Sequence, residues 1–300
     1  MTTWRSLLHE AQHELERAGL ASADVEARRI IEAASGADGS LTWVAEEDAP
    51  YPAARHARAM AQRRARGEPL QYVLGSWSFL GLDLFVDPRV LIPRPETERT
   101  AQVALEEAAR LGAPRGRRDP WRGSVASFLV ADLGTGSGAI ALAVATTFPD
   151  AEVWATDVSP GALAVARANL AGSAGAAAQV RLAEGDWFDA LPASLRGRFQ
   201  LVVSNPPYVA TRELASLPAE VADHEPQGAL VSGPTGFEAI ERIVAGAPEY
   251  LVPGAGTLVV ELAPHQAGAA HDAARAAGFA DARIECDLAG RERVLVARGG

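Results

Sequence analysis

Five apolar runs of strand length, residues 127–132, 152–157, 179–183, 199–204 and 256–261, alternate with stretches of mostly helical pattern. This alternation limits the possible folds sharply, because parallel strands need long crossovers and a helix is the usual one. A parallel, doubly wound α/β sheet is expected, and residues 282–286 and 293–297 bring the strand count to seven. The chain before Pro93 lacks that rhythm. Trp4, Leu7, Leu8, Ala11 and Leu15 recur at helical spacing, and Ser22 and Asp24 offer a cap for a second helix carrying Val25, Ala27, Ile30, Ile31 and Ala34. A third helical stretch spans about 53–65, and Gly67 and Pro69 end it. Residues 72–74, 77–79 and 82–86 read as short strands with Gly75 and Gly81 at turns. The expected organisation is a small helical domain over 1–70, a β-hairpin connector over 71–92 and the α/β domain over 93–300. The Pro-, Gly- and Arg-rich residues 113–124 read as a mobile surface linker.

Several chemistries drop out early. All 28 basic residues are Arg, so no Lys can form a Schiff base or act as a general base. Against 38 acidic residues they leave a net charge of −10, which gives no bulk electrostatic hold on DNA or RNA. The lone Cys286 excludes an intrachain disulfide and a multi-Cys zinc site. No apolar stretch reaches the ~18 residues of a membrane span, and the N-terminus has no basic-then-apolar leader, so a cytoplasmic protein is expected. His9-Glu10-Ala11-Gln12-His13 matches the zinc-protease pattern, but that helix face lies opposite the apolar stripe and no third ligand is evident. No metal is expected there. Residues 53–66 carry five Arg and no acid, which reads as a solvated helix face or a contact for an acidic partner surface.

The first strand of the large domain runs into Gly134-Thr135-Gly136-Ser137-Gly138 and then a helix. Glycines there let the backbone turn sharply and pass close to a ligand. The second strand ends at Asp157, 19 residues beyond Gly138, where a carboxylate can accept both ribose hydroxyls. The loop lacks the G-x-G-x-x-G spacing of dinucleotide folds, which favours S-adenosylmethionine. After the third strand, Glu184-Gly185-Asp186-Trp187-Phe188 offers a polar residue for the adenine edge and an aromatic for its face.

The fourth strand leads into Asn205-Pro206-Pro207-Tyr208. The prolines stiffen the backbone and lack competing N–H groups. An Asn oxygen and a nearby backbone carbonyl form a paired acceptor for a planar –NH₂, and Tyr208 can stack on the group that carries it. The pattern fits N-methylation of an amide or of an exocyclic amine. Such a nitrogen attacks an already activated methyl, so orientation can supply much of the rate and no titratable base is needed.

With these motifs the chain resembles the HemK/PrmC family, the glutamine methyltransferases of peptide chain release factors. The resemblance spans nearly the whole chain: Gly67-Glu68-Pro69-Leu70-Gln71-Tyr72, Val90-Leu91-Ile92-Pro93-Arg94-Pro95-Glu96-Thr97-Glu98, Asp132 to Gly138, Asp157, Trp187, Asn205 to Tyr208, Glu225-Pro226 and Gly290 to Arg293. It implies a seven-stranded, Rossmann-like, S-adenosylmethionine-dependent methyltransferase domain behind a helical substrate-recognition domain. It further implies transfer to the side-chain amide nitrogen of Gln in the Gly-Gly-Gln tripeptide of release factors, with S-adenosylhomocysteine as product. Carried over, Gly134, Thr135, Gly136, Ser137, Gly138 and Asp157 would hold the cofactor, and Trp187 would pack at its adenine. Asn205 would accept from the substrate amide beside the cofactor, Pro206 would offer its carbonyl, and Pro207 and Tyr208 would complete the pocket. Arg94, Pro95 and Glu96 would line it from the connector side. Release factors are the expected partners; nucleic acid is disfavoured, no membrane is expected, and a monomer is expected. A nucleobase amine in DNA or RNA remains the alternative substrate. One departure is visible: Glu261-Leu262-Ala263-Pro264-His265-Gln266 stands where the family often has Glu-Ile-Gly before a Gln. It is expected to lie away from the motif and to affect loop shape more than catalysis.

Overall fold

Thr3 accepts the Ser6 N–H at 3.3 Å and opens the first helix, α1 (Trp4–Arg17), whose Trp4, Leu7, Ala11 and Leu15 are buried. The computed structural model describes residues 2–37, 45–113, 128–173 and 175–299. Two further helices, α2 (Ala23–Ser35) and α3 (Tyr51–Ala65), bring Ile30, Ile31 and Met60 against that stripe. At ~1.5–3 kcal/mol for each large apolar side chain removed from water, these residues hold the small helical core together. Three of the five Arg in 53–66 are engaged within this unit: Arg58 with Glu10, Arg63 with Glu68, and Arg64 with Glu26 and Glu220. His9 and His13 lie on the exposed side of α1.

The short strand expected at 72–74 is instead the end of a helix, α4 (Leu70–Leu74). Leu70 and Val73 are one helical turn apart, and both enter the core of the helical unit. Pro69 stands at its N-cap and Gly75 closes it in the left-handed conformation. The hairpin then forms from β1 (Ser76–Phe79) and β2 (Leu82–Phe85). The chain falls into two compact units, one containing residues up to Trp77 together with Leu217–His224, the other Ser78–Ser216 and Glu225 onward.

The second unit begins in earnest with α5 (Pro95–Arg110). Proline at N1 suits the helix start with its fixed φ, and Glu96 and Glu98 in the first turn and Arg110 in the last complement the helix dipole. Residues 114–124 of the expected linker lie outside the described residues. There follow β3 (Phe128–Leu133), α6 (Ala139–Thr147), β4 (Ala151–Asp157), α7 (Pro160–Gly172), β5 (Val180–Glu184) and β6 (Leu201–Ser204). Two elements of the stretch after β6 pair as short parallel strands, β7 (Val209–Ala210) and β8 (Val231–Gly233). Between them in sequence come the short helices α8 (Ala219–His224), which belongs to the first unit, and α9 (Gln227–Leu230). The chain closes with α10 (Glu238–Tyr250), β9 (Thr257–Glu261), α11 (Ala267–Ala276), β10 (Asp281–Cys286) and β11 (Glu292–Arg298).

Seven strands form one sheet in the order β10-β11-β9-β6-β3-β4-β5. β5, β4, β3, β6 and β9 run parallel to one another, whereas β11 is antiparallel to both β9 and β10. Side chains of β3 alternate between the two faces. Phe128 and Val130 enter a core with α5 and α6; Leu129, Ala131 and Leu133 enter another with α10 and α11. Helix α6 is buried from Ala139 to Ala145, which explains its apolar composition all round. The strand order reverses at β3, with β4 on one side and β6 on the other, and a ligand crevice is expected beyond their carboxyl ends. No helix among the described residues is long and apolar enough to cross a membrane.

Candidate active site

The carboxyl ends of β3 and β4 open into a cavity of about 360 Å³, within the range of small-molecule sites. Its floor is the glycine loop between β3 and α6. Thr135 donates its backbone N–H to Thr156 of the neighbouring strand at 2.8 Å, and Gly134 takes φ of 70°. A Cβ on Gly134 would stand 3.1 Å from the Trp187 ring, so the loop and the indole are in direct contact. Trp187 itself holds φ at 51°, a left-handed conformation that is strained for a bulky residue. Asn169 on α7 supports the loop from behind. Its Nδ2 donates to Ser137 at 2.8 Å and to Phe85 of the hairpin at 3.0 Å, while Oδ1 accepts the Phe85 N–H.

Three carboxylates line the cavity, Asp132, Asp157 and Asp186. Asp157 accepts the Gly136 N–H through Oδ2 and the Ser159 N–H through Oδ1, both at 2.9 Å. Burial raises its pKa, against the pull of these N–H groups. Asp132 is more deeply set. Its Oδ2 accepts from the Thr135 hydroxyl at 2.6 Å and the Ala141 N–H at 3.0 Å, while its Oδ1 is buried with no hydrogen-bond partner. Burial pushes this carboxyl up to about 7. An unpartnered buried carboxylate oxygen beside a glycine cradle suits a ligand carrying a positive group as well as hydroxyls. S-adenosylmethionine has both, and the residues present fit it.

Asn205 and Pro207 form the wall on the β6 side. The Asn205 Nδ2 donates to the Thr97 hydroxyl at 2.9 Å, which leaves Oδ1 without a partner among the described residues. Pro206 is buried and lies behind the lining, as does Gly138, which caps α6 and packs on Ala166. The Tyr208 hydroxyl reaches Glu261 at 3.5 Å, and burial followed by that carboxylate raises its pKa far above the ordinary phenol value. The cavity therefore gathers Gly134, Thr135, Gly136, Ser137, Asp157, Trp187, Asn205 and Pro207, with Pro206, Gly138 and Tyr208 just outside its lining.

Arg94, Pro95 and Glu96 are placed differently from the lining expected of them. Arg94 pairs with buried Glu225, Pro95 opens α5, and Glu96 pairs with Arg291. Their neighbours Pro93 and Thr97 line the cavity instead, together with Arg89 and Val90. The segment 261–266 is a correction of substance. Gln266 donates through Nε2 to the Tyr208 carbonyl at 3.0 Å and the Gly236 carbonyl at 2.9 Å, so it grips the motif loop directly. Asp132 and Thr97, both in the lining, were not among the expected site residues. Of these, Asp132 had a legible signal, an acid ending a wholly apolar strand just before the glycines.

Residues 6–75 match the family model of the PrmC N-terminal domain, and residues 124–222 that of the Methyltransferase small domain. The release factor glutamine methyltransferase of Deinococcus radiodurans is 41% identical over 296 residues, covering 98% of each chain. That of Bordetella pertussis is 42% identical over 271 residues, covering 90% of this chain and 93% of its own. Among solved structures, the hMettl16 catalytic domain in complex with MAT2A 3'UTR hairpin 1 superposes with a TM-score of 0.56 at 15% identity, covering 90% of both chains, a likeness of fold alone. At these identities and this coverage, the chain belongs to the release factor glutamine methyltransferase family.

Proposed function

We propose that this enzyme transfers a methyl group from S-adenosylmethionine to the side-chain amide nitrogen of Gln in the Gly-Gly-Gln tripeptide of peptide chain release factors. S-adenosylmethionine supplies a sulfonium methyl, an electrophile activated before it meets the nitrogen. The glycine loop brings backbone within reach of this ligand, Asp157 offers its remaining lone pairs to ribose hydroxyls, and Trp187 packs at the adenine. Asp132 Oδ1 offers a charged acceptor for the ammonium group.

Asn205 carries the reading on a single observation: its amide nitrogen is spent on Thr97, so its oxygen is the atom offered to the cavity. A primary amide has two protons to give. Asn205 Oδ1 and the Pro206 carbonyl accept them, which orients the nitrogen and concentrates electron density on it. Tyr208 and Pro207 shape the surrounding pocket. No side-chain base is called for, in keeping with an Asn that has no acid–base function at neutral pH.

A nucleobase amine presents the same –NH₂ geometry, but a net charge of −10 offers little to a phosphate backbone. The protein is read as a cytoplasmic monomer. Asn205→Ala should abolish transfer to a release factor while S-adenosylhomocysteine still binds, as read by calorimetry beside a methyl-transfer assay. Retained transfer in that variant would remove Asn205 from its role.

A further inference from the structure

Glu261 ends β9 fully buried, directly behind the Asn205 motif, and the proposed chemistry gives it no task. Its Oε2 accepts from the Thr100 hydroxyl at 2.9 Å, and the Thr97 hydroxyl, one turn earlier on the same helix, also faces it and favours its ionised form. Thr97 is the same residue that accepts from Asn205 Nδ2 at 2.9 Å. The Tyr208 hydroxyl approaches the other oxygen of Glu261 at 3.5 Å. One carboxylate therefore stands behind two residues of the motif.

The direction of this chain follows from donor counting. An ionised carboxylate only accepts, and a hydroxyl has one proton to give. If the Thr97 proton goes to Glu261, its lone pair is what remains for Asn205, and the Asn205 side chain must turn its nitrogen toward Thr97. Its oxygen then faces the cavity. With the amide flipped, an –NH₂ would face the –NH₂ of the substrate, donor against donor.

We propose that Glu261 is a positioning residue for methyl transfer, fixing through Thr97 the orientation in which Asn205 presents oxygen to the substrate amide. This rests on the reading of Asn205 given above. The charged groups facing Glu261 are Arg293 from β11 and Glu96 from α5, with the Tyr208 hydroxyl beside them. Burial pushes the Glu261 carboxyl up to about 7, with Thr100, Thr97 and Arg293 opposing and Glu96 assisting. Protonation would give Glu261 a donor and let the chain run either way, so the oriented state belongs to the ionised form.

The test is a steady-state comparison of the full-length wild type with Thr97→Val, Thr97→Ser and Glu261→Gln, using a release factor as substrate at saturating S-adenosylmethionine. Thr97→Val keeps the shape and removes the hydroxyl, and Glu261→Gln lets the chain reverse. Each should lower kcat by about 10–100-fold, the scale of a misaligned reacting group, and leave S-adenosylhomocysteine affinity close to wild type. Thr97→Ser, which keeps the hydroxyl, should retain kcat to within about threefold, a small fraction of that scale. The wild-type kcat should rise with pH toward about 7, and Glu261→Gln should lack that rise. Wild-type kcat in both Thr97→Val and Glu261→Gln, or a loss in Thr97→Val that Thr97→Ser shares, would overturn the inference alone. A wild type that binds S-adenosylhomocysteine yet methylates no release factor would overturn the functional reading, and the inference with it.

Discussion

Asp132 separates two demands on one side chain. Its buried Oδ1 has no partner, and burial holds the carboxyl protonated up to about pH 7. Holding a cationic ammonium requires the ionised form, so below that pH cofactor binding must first expel a proton. Affinity for S-adenosylmethionine should therefore fall by up to about tenfold per pH unit below 7 and level off above it. Asp132→Asn should bind about 10-fold more weakly above pH 7, the scale of a lost charge-assisted hydrogen bond, and show a flatter pH dependence. Calorimetric titration from about 1.5 pH units below 7 to about one unit above it reads both effects. At this scale the sequence was legible as to place: Asp157 and Asn205, picked out by residue type and position, both line the cavity. It was silent about Thr97, because nothing local marks a threonine in the first turn of a helix as the partner of a residue 108 positions away.

Elements were legible where one period dominates. The buried strands of the seven-stranded sheet show as apolar runs because helices cover both faces. Residues 72–74 misled because three apolar residues fit either period, and packing of Leu70 and Val73 into the helical core decided for helix. The short elements from Val209 to Gly233 were hidden for a similar reason: their register is set by tertiary clamps. Gln266 is one, and Gly236 is another, with φ of 84° and space for a Cβ only 2.7 Å from the Tyr208 carbonyl. Two glycine substitutions should thus part company. Gly134→Ala crowds Trp187 and should weaken S-adenosylhomocysteine binding. Gly236→Ala displaces the motif loop and should cut kcat by about tenfold or more with binding retained. Equal effects of both variants on binding and turnover would mean that cradle and motif are not separately supported.

Across the whole molecule, Asp132 and Glu261 are both raised to about 7 in the folded protein, against about 4 for exposed carboxyls. Between those values the folded state holds more protons than the unfolded chain, so stability falls as pH rises through that window and levels off above 7. Glu107 behaves oppositely. Burial pushes it up, but Arg298, Arg110 and Arg283 outweigh that and hold it at about 2, so its contribution is lost only in acid. The ligand-free protein should show a melting temperature that declines from about pH 5 to pH 7.5. S-adenosylhomocysteine should offset the decline, because it favours ionised Asp132 in the folded state. The −10 net charge fits the same picture of an enzyme that meets a protein and not a nucleic-acid backbone. The most direct test of that picture is a methyl-transfer assay with labelled S-adenosylmethionine, offering a release factor, its Gly-Gly-Gln variant with Gln→Ala, and DNA side by side. Label confined to the intact release factor, and mapped by mass to that Gln, is the predicted result. Label on DNA, or undiminished label on the Gln→Ala variant, would contradict it.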